Sequence, residues 1–207
     1  MRINEILKED REQGKTAVVG WGRGMGHRGH MFLALAVIEY AERIGGTPFF
    51  FVSETVGKDD PLLPGEKLAI YQLVFPKYKN IFKTAPTIIP ALEEVNGAGF
   101  DNLVFIVGAD QKNSFGFLTR NKKDGTPVLP FNSVQVMSRQ ETGSKTSNLE
   151  GPRATPMRDI LKDPQATTQQ KFKYWRDAMP NALTDEQVMD VMAVAAERMG
   201  YKIKDES

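Results

Sequence analysis

The chain has 207 residues, 41% hydrophobic and 26% charged, which suits one globular domain or one domain with a helical tail. A formal net charge of +1 argues against a protein built to coat nucleic acid, and the lack of cysteine excludes disulfides and thiolate metal sites. No eighteen apolar residues run together to span a membrane, and the charged opening MRINEILKEDREQGK lacks a signal-peptide core, so the cytoplasm is the expected compartment.

In chain order, residues 3 to 13 read as a short amphipathic helix with Ile3, Ile6 and Leu7 on one side. Thr16 to Val19 reads as an apolar strand that runs into a glycine-rich turn containing Gly20, Gly22, Gly24, Gly26 and Gly29. An apolar helix from His30 to Ile44 follows, closed by Gly45-Gly46, where left-handed C-cap geometry favours glycine. Thr47 to Ser53 is the continuous apolar run expected of a strand buried on both faces of a parallel sheet. Pro64 to Phe75 has helical spacing and is stopped by Pro76; Asn80 to Thr84 is a short strand; Thr87 to Asn96 is a helix ended by Gly97 and Gly99. Leu103 to Val107 is a strongly apolar strand opening into Gly108-Ala-Asp110, and Ser133 to Ser138 is the last strand. This β-α-β-α order, with crossovers long enough for parallel pairing, predicts a Rossmann-like, doubly wound α/β sheet. Helices over Gln169–Met179 and from Thr184, which opens a capping box, form a C-terminal extension. The expected organisation is a domain over 1–163 with helices 164–207 packed on it.

The stretch Ala17 to His30, AVVGWGRGMGHRGH, carries the chemistry. A strand delivered through glycines to a helix N-terminus is a ready anion site, since free N–H groups of the first turn point outward. His27 and His30 add donors that are neutral or charged near pH 7. Trp21 sits in the same loop, either to stack on a base or pyridine ring or to pack beneath the loop. Late in the chain, Thr155 reads as an N-cap and Pro156 as the first helical residue, with Arg158 one turn in, where its fork can meet phosphate oxygens. Glu54 and Asp59 follow the second strand, but Lys58-Asp59-Asp60 reads as an ordinary polar turn, and Lys67 as a solvated helix lysine. Met189, Met192 and Met199 form part of a helical stripe that either packs on the sheet or makes a homo-oligomer contact.

His27-Arg28-Gly29-His30 resembles the HxGH signature of the nucleotidyltransferase superfamily, which includes nicotinamide-mononucleotide adenylyltransferases and cytidylyltransferases. Pro61 to Lys67 resembles that family's P-L-x-x-x-E-[RK] helix, Phe105 to Asp110 its fourth-strand end, and Glu150 to Arg158 its late S-x-T-x-x-R motif. These motifs cover about residues 17 to 162 in the family's order, and the layout from Gly108 to Asp159 is similar to the nucleotidyltransferase-like proteins of tailed bacteriophages. Arg153 stands where the family usually has serine, Pro152 where an aliphatic residue is common, and Gly24 where many members carry an acid.

The resemblance implies attack of an acceptor phosphate on the α-phosphorus of a nucleoside triphosphate, with release of pyrophosphate. His27, His30 and Arg158 would be the catalytic residues. Gly20, Trp21, Gly22, Gly29, Gly108, Asp110, Arg153, Thr155 and Met157 would line the nucleotide. Mg²⁺ would bridge phosphate oxygens with few protein ligands. ATP with nicotinamide mononucleotide is the favoured pair; a cytidylyltransferase, an inactive nucleotide-binding phage protein and, weakly, an aminoacyl-tRNA-synthetase-like activator are the alternatives. His27, His30, Asp110, Thr155 and Arg158 are expected to meet at the C-terminal edge of the sheet.

Overall fold

Apolar strands without a polar face need cover on both sides, and the fold supplies it. The computed structural model describes residues 14–203, so the helix expected over 3–13 lies outside the described residues. Five strands, β1 (Thr16–Gly22), β2 (Thr47–Ser53), β3 (Phe82–Ala85), β4 (Asn102–Val107) and β5 (Ser133–Ser138), pair in the order β3-β2-β1-β4-β5. Every pairing is parallel, as the Rossmann-like reading requires. The helices are α1 (Arg28–Ile44), α2 (Pro64–Val74), α3 (Ile88–Gly97), α4 (Ala154–Lys162), α5 (Thr168–Ala178) and α6 (Asp185–Arg198).

Period-two alternation along the strands divides the interior into two apolar layers. Val18, Phe50, Val52, Val104 and Ile106 face a layer closed by Val37 of α1, Tyr71 of α2, Met157 of α4, Trp175 of α5 and Met192 of α6. Ala17, Val19, Trp21, Phe51 and Phe105 face the other, closed by Leu92 and Val95 of α3 and by Leu118, Leu129 and Phe131. The chain first winds from β1 outward to β3 and then returns to β4 on the far side of β1. The strand order therefore reverses between β1 and β4, and the crevice beyond their C-terminal ends is where open α/β sheets bind ligands.

Several boundaries differ from the sequence expectation. β1 continues through Gly20, Trp21 and Gly22, because Phe50, Phe51 and Val52 of β2 lie opposite them in register. Ladder pairing in a central strand outweighs the poor strand propensity of glycine. The turn is thus confined to the residues between Gly22 and Arg28, and α1 starts two residues before His30. Pro76–Ile81 is a 3-10 helix, which delays β3 to Phe82. Helix α4 begins at Ala154, so Arg153 is its N-cap, Thr155 is its second residue and Pro156 its third. Proline is tolerated there because N–H groups of the first turn have no intrahelical partner.

Candidate functional site

Between β1 and α1 the backbone turns through Gly24 and Gly26, at φ of +82° and +62°, a conformation that side chains with a Cβ rarely adopt. His27 follows as the N-cap of α1 with extended backbone and no side-chain cap bond. Its carbonyl accepts from the amides of His30 (2.9 Å) and Met31 (3.3 Å), so the ring takes no part in capping. The His27 and His30 rings stack, with centroids 4.0 Å apart and planes 16° from parallel. His27 is 6% exposed, and Nδ1 of both rings is buried without a hydrogen-bond partner.

Burial, with the nearby Arg158 guanidinium, pushes the His27 pKa down to about 4. His30 is held well below its ordinary value, first by burial, then by the charges of His27 and Lys67. Both rings are therefore neutral at pH 7, and each has one N–H to donate and one nitrogen that can take a proton. A second positive ring stacked against the first would be strongly disfavoured.

The late segment closes over this turn. A methyl placed on Gly151 would lie 2.4 Å from the Gly29 Cα, and one placed on Gly29 would lie 2.8 Å from the Pro152 carbonyl oxygen. Two glycines thus let the backbone before α4 cross directly over the first turn of α1. A methyl on Gly24 would sit 3.9 Å from both His30 Cε1 and Ala154 Cβ, which puts the turn, the second histidine and the start of α4 in one place. Arg158 reaches back from α4, donating to the Thr155 hydroxyl (3.2 Å) and to the Asp59 carbonyl (3.0 Å). Its Nε lies 3.6 Å from Asp59 Oδ1, and its side chain is 14% exposed against 92% for Asp59. Arg153 and Thr155 are exposed at the N-terminus of α4.

Several of the expected nucleotide residues have other surroundings. Trp21 lies on the α3 face of the sheet with Val19 and is 9% exposed, so its ring packs in the core and is not displayed beside the histidines of α1. The Met157 side chain is fully buried, and its carbonyl accepts from the Trp175 indole at 3.0 Å. Gly20 and Gly22 make room for Phe50, Val37 and the Tyr71 hydroxyl, any of which would meet an added methyl at 2.4 to 2.8 Å. Thr155 does not cap; its hydroxyl accepts from Arg158 instead. Gly108 and Asp110 stand at the end of β4, across the strand-order reversal from the turn, with Asp110 exposed and opening the 3-10 segment Ala109–Thr119.

Lys67 corrects the sequence expectation most sharply. It is fully buried, not solvated, with Nζ 2.7 Å from Asp60 Oδ2, and it donates to the carbonyls of Thr55 (2.6 Å) and Ser53 (3.1 Å). Asp60 is 6% exposed. The turn Lys58-Asp59-Asp60 is thus no free polar turn: one acid anchors inward and its neighbour faces Arg158. Gly151 is likewise not among the expected site residues, although its place in Glu150-Gly-Pro beside a helix start is a visible signal. Among the described residues no group of three His, Asp or Glu side chains is placed to hold a metal ion. A hollow of about 500 Å³ opens elsewhere, between Leu161–Lys171 and Tyr201. No helix among the described residues is long and apolar enough to cross a membrane. No protein-family model matches the chain, and no curated protein matches it.

Proposed function

We propose that the chain is a nucleotidyltransferase that moves a nucleotidyl group, AMP by preference, from a nucleoside triphosphate to a phosphorylated acceptor such as nicotinamide mononucleotide. The observation that carries this reading is the stacked, neutral His27–His30 pair at the start of α1, lying against the start of α4 and within the field of Arg158. Two helix N-termini, two uncharged imidazoles and one guanidinium at the edge of a parallel sheet suit a polyphosphate.

In this reading the acceptor phosphate attacks the α-phosphorus and pyrophosphate leaves, with no covalent enzyme intermediate. The protein then contributes position and charge stabilisation. His30 donates to an α-phosphoryl oxygen as negative charge builds there, and His27 donates alongside it. Arg158 keeps its bond to the Asp59 carbonyl and exchanges the exposed Asp59 carboxylate for the β- and γ-phosphates, and Ala154 and Thr155 offer the unpaired amides of α4. Arg153 is exposed at the same end for a further phosphate contact. Asp110 meets the ribose, or a water, from the β4 side. Mg²⁺ would be carried by the phosphate oxygens, where it would shield their charge.

The preference for ATP rests on the resemblance of Phe105–Asp110 and Pro61–Lys67 to the nicotinamide-mononucleotide branch and on the missing acid at Gly24. Trp21 gives it no support, because its ring is in the core. A second reading, a nucleotide-binding module without turnover, is favoured by the Asp59 carboxylate, which lies 3.6 Å from Arg158 Nε and competes with a phosphate for it. Pyrophosphate release, screened over four nucleoside triphosphates and a panel of phosphorylated acceptors, separates the two. The expected result is release with ATP and nicotinamide mononucleotide that is lost in His30→Ala. Release only with CTP replaces the substrate, and binding without release in any combination replaces the enzyme with the module.

A further inference from the structure

A buried charged pair, Lys67–Asp60, lies close to His30 and is not used by the proposed chemistry. Residues 54 to 59 are all exposed, whereas Ser53 before them and Asp60 after them are buried. Lys67 spans that gap from α2. Its ammonium has three protons, and three oxygens stand within reach: the carbonyls of Ser53 and Thr55 at the end of β2, and Asp60 Oδ2. Gly57 and Asp60 add a reciprocal pair of backbone bonds, of 2.9 and 3.0 Å, which closes the loop on itself. Asp59, one residue from this anchor, gives its carbonyl to Arg158 at 3.0 Å.

A buried ion pair adds little stability over a packed apolar pair, and its best use is to specify one arrangement among several. Here the arrangement specified is the position of the Asp59 carbonyl. We infer that Lys67 is a positioning residue: through Asp60 and the two β2 carbonyls it fixes the 54–60 loop, so that Asp59 holds Arg158 beside His27. The role in binding rests on the reading that Arg158 serves a triphosphate; the geometric chain from Lys67 to Arg158 does not.

The test uses the full chain and two replacements. Lys67→Gln with Asp60→Asn keeps a polar pair at unchanged net charge but removes the three-way ammonium anchor. Lys67→Arg keeps the charge, yet cannot bring one nitrogen to all three oxygens, and it serves if the neutral pair does not fold. Imidazole titration by NMR follows His27 in each, one of only two histidines in the chain. With Arg158 released, the His27 titration moves upward toward the ordinary histidine range, less in Lys67→Arg than in the neutral pair. Calorimetry with MgATP then reads binding in a double-mutant cycle with Arg158→Ala. The neutral pair is expected to weaken MgATP on the order of tenfold, and to have no further effect once Arg158 is gone. An unmoved His27 titration in a folded variant overturns the inference, as does the same loss of binding with and without Arg158. Should the wild-type chain not bind MgATP, the nucleotide reading fails, and the His27 titration alone decides the positioning role.

Discussion

His27 is stable in the fold as a neutral ring, and that has a direct consequence for acid sensitivity. Its pKa is near 4 in the folded chain against an ordinary value of 6.5, so between those values the unfolded chain binds more protons. The stabilisation is complete above pH 6.5 and is lost as the pH falls toward 4. From pH 7.5 to 5 the loss from His27 is about 2 kcal/mol, and His30, depressed in the same direction, adds to it. Urea unfolding at the two pH values checks this, and His27→Gln is expected to flatten the dependence. A midpoint unchanged between pH 7.5 and 5 in the wild-type chain would show the rings to be freely protonated. His30→Ala belongs to the same scale: its bond to the α-phosphoryl oxygen strengthens as charge builds, so turnover falls on the order of 10²-fold while MgATP affinity falls much less. Steady-state kinetics beside calorimetry separates the two effects, and equal losses in both would remove His30 from the reacting centre.

At the scale of elements, the site depends on one crossing, where the backbone before α4 passes over the first turn of α1. Gly151→Ala places a methyl 2.4 Å from the Gly29 Cα, where no flexible side chain can yield. The segment must lift, at a cost of about 1–3 kcal/mol as for other overpacked sites, and the start of α4 moves away from His30. Chemical denaturation reads the first effect and MgATP titration the second. A variant as stable and as tight as the wild type would mean that the crossing is loose. The strands and helices themselves are legible in the sequence: the apolar run Thr47–Ser53 and the last strand, Ser133–Ser138, have the bounds expected of them. Elements that depend on a neighbour were not. Gly20–Gly22 reads as a turn because glycine disfavours strands, and it is the facing Phe50–Val52 of β2, with Ile106 of β4 opposite Gly20, that makes it strand. Lys67 looked solvated because a lysine in an amphipathic helix usually is, and its partners lie on a loop that sequence spacing does not bring near. Trp21 shares the odd-numbered face of Ala17 and Val19, and the continuation of β1 to Gly22 is what assigns it to the core.

Taken whole, the molecule treats its C-terminal helices as part of the site's support. Trp175 is fully buried in the same apolar layer as α1 and gives its indole N–H to the Met157 carbonyl of α4. Arg28 donates to the Asp177 carbonyl, and Arg198 to the Pro61 carbonyl and the Glu66 carboxylate, so α5 and α6 touch the histidine turn and the start of α2. Met192 and Met199 are taken up by this layer, and the half-buried Met189 packs against it. Thermal unfolding is accordingly expected as one cooperative transition, and Trp175→Ala should destabilise it by about 3–5 kcal/mol without splitting it. Two resolved transitions in the wild-type chain would make the C-terminal helices a separate unit. The central claim is that a triphosphate binds at the two histidines, and the chain offers a clean way to ask, because it has no others. NMR titration of both imidazoles with and without saturating MgATP is the most direct measurement. The bound anion should shift both signals and raise both depressed pKa values, so that binding takes up protons and strengthens as the pH falls from 7 toward 5. Saturation with MgATP that leaves both imidazoles titrating as in the free chain would contradict the account.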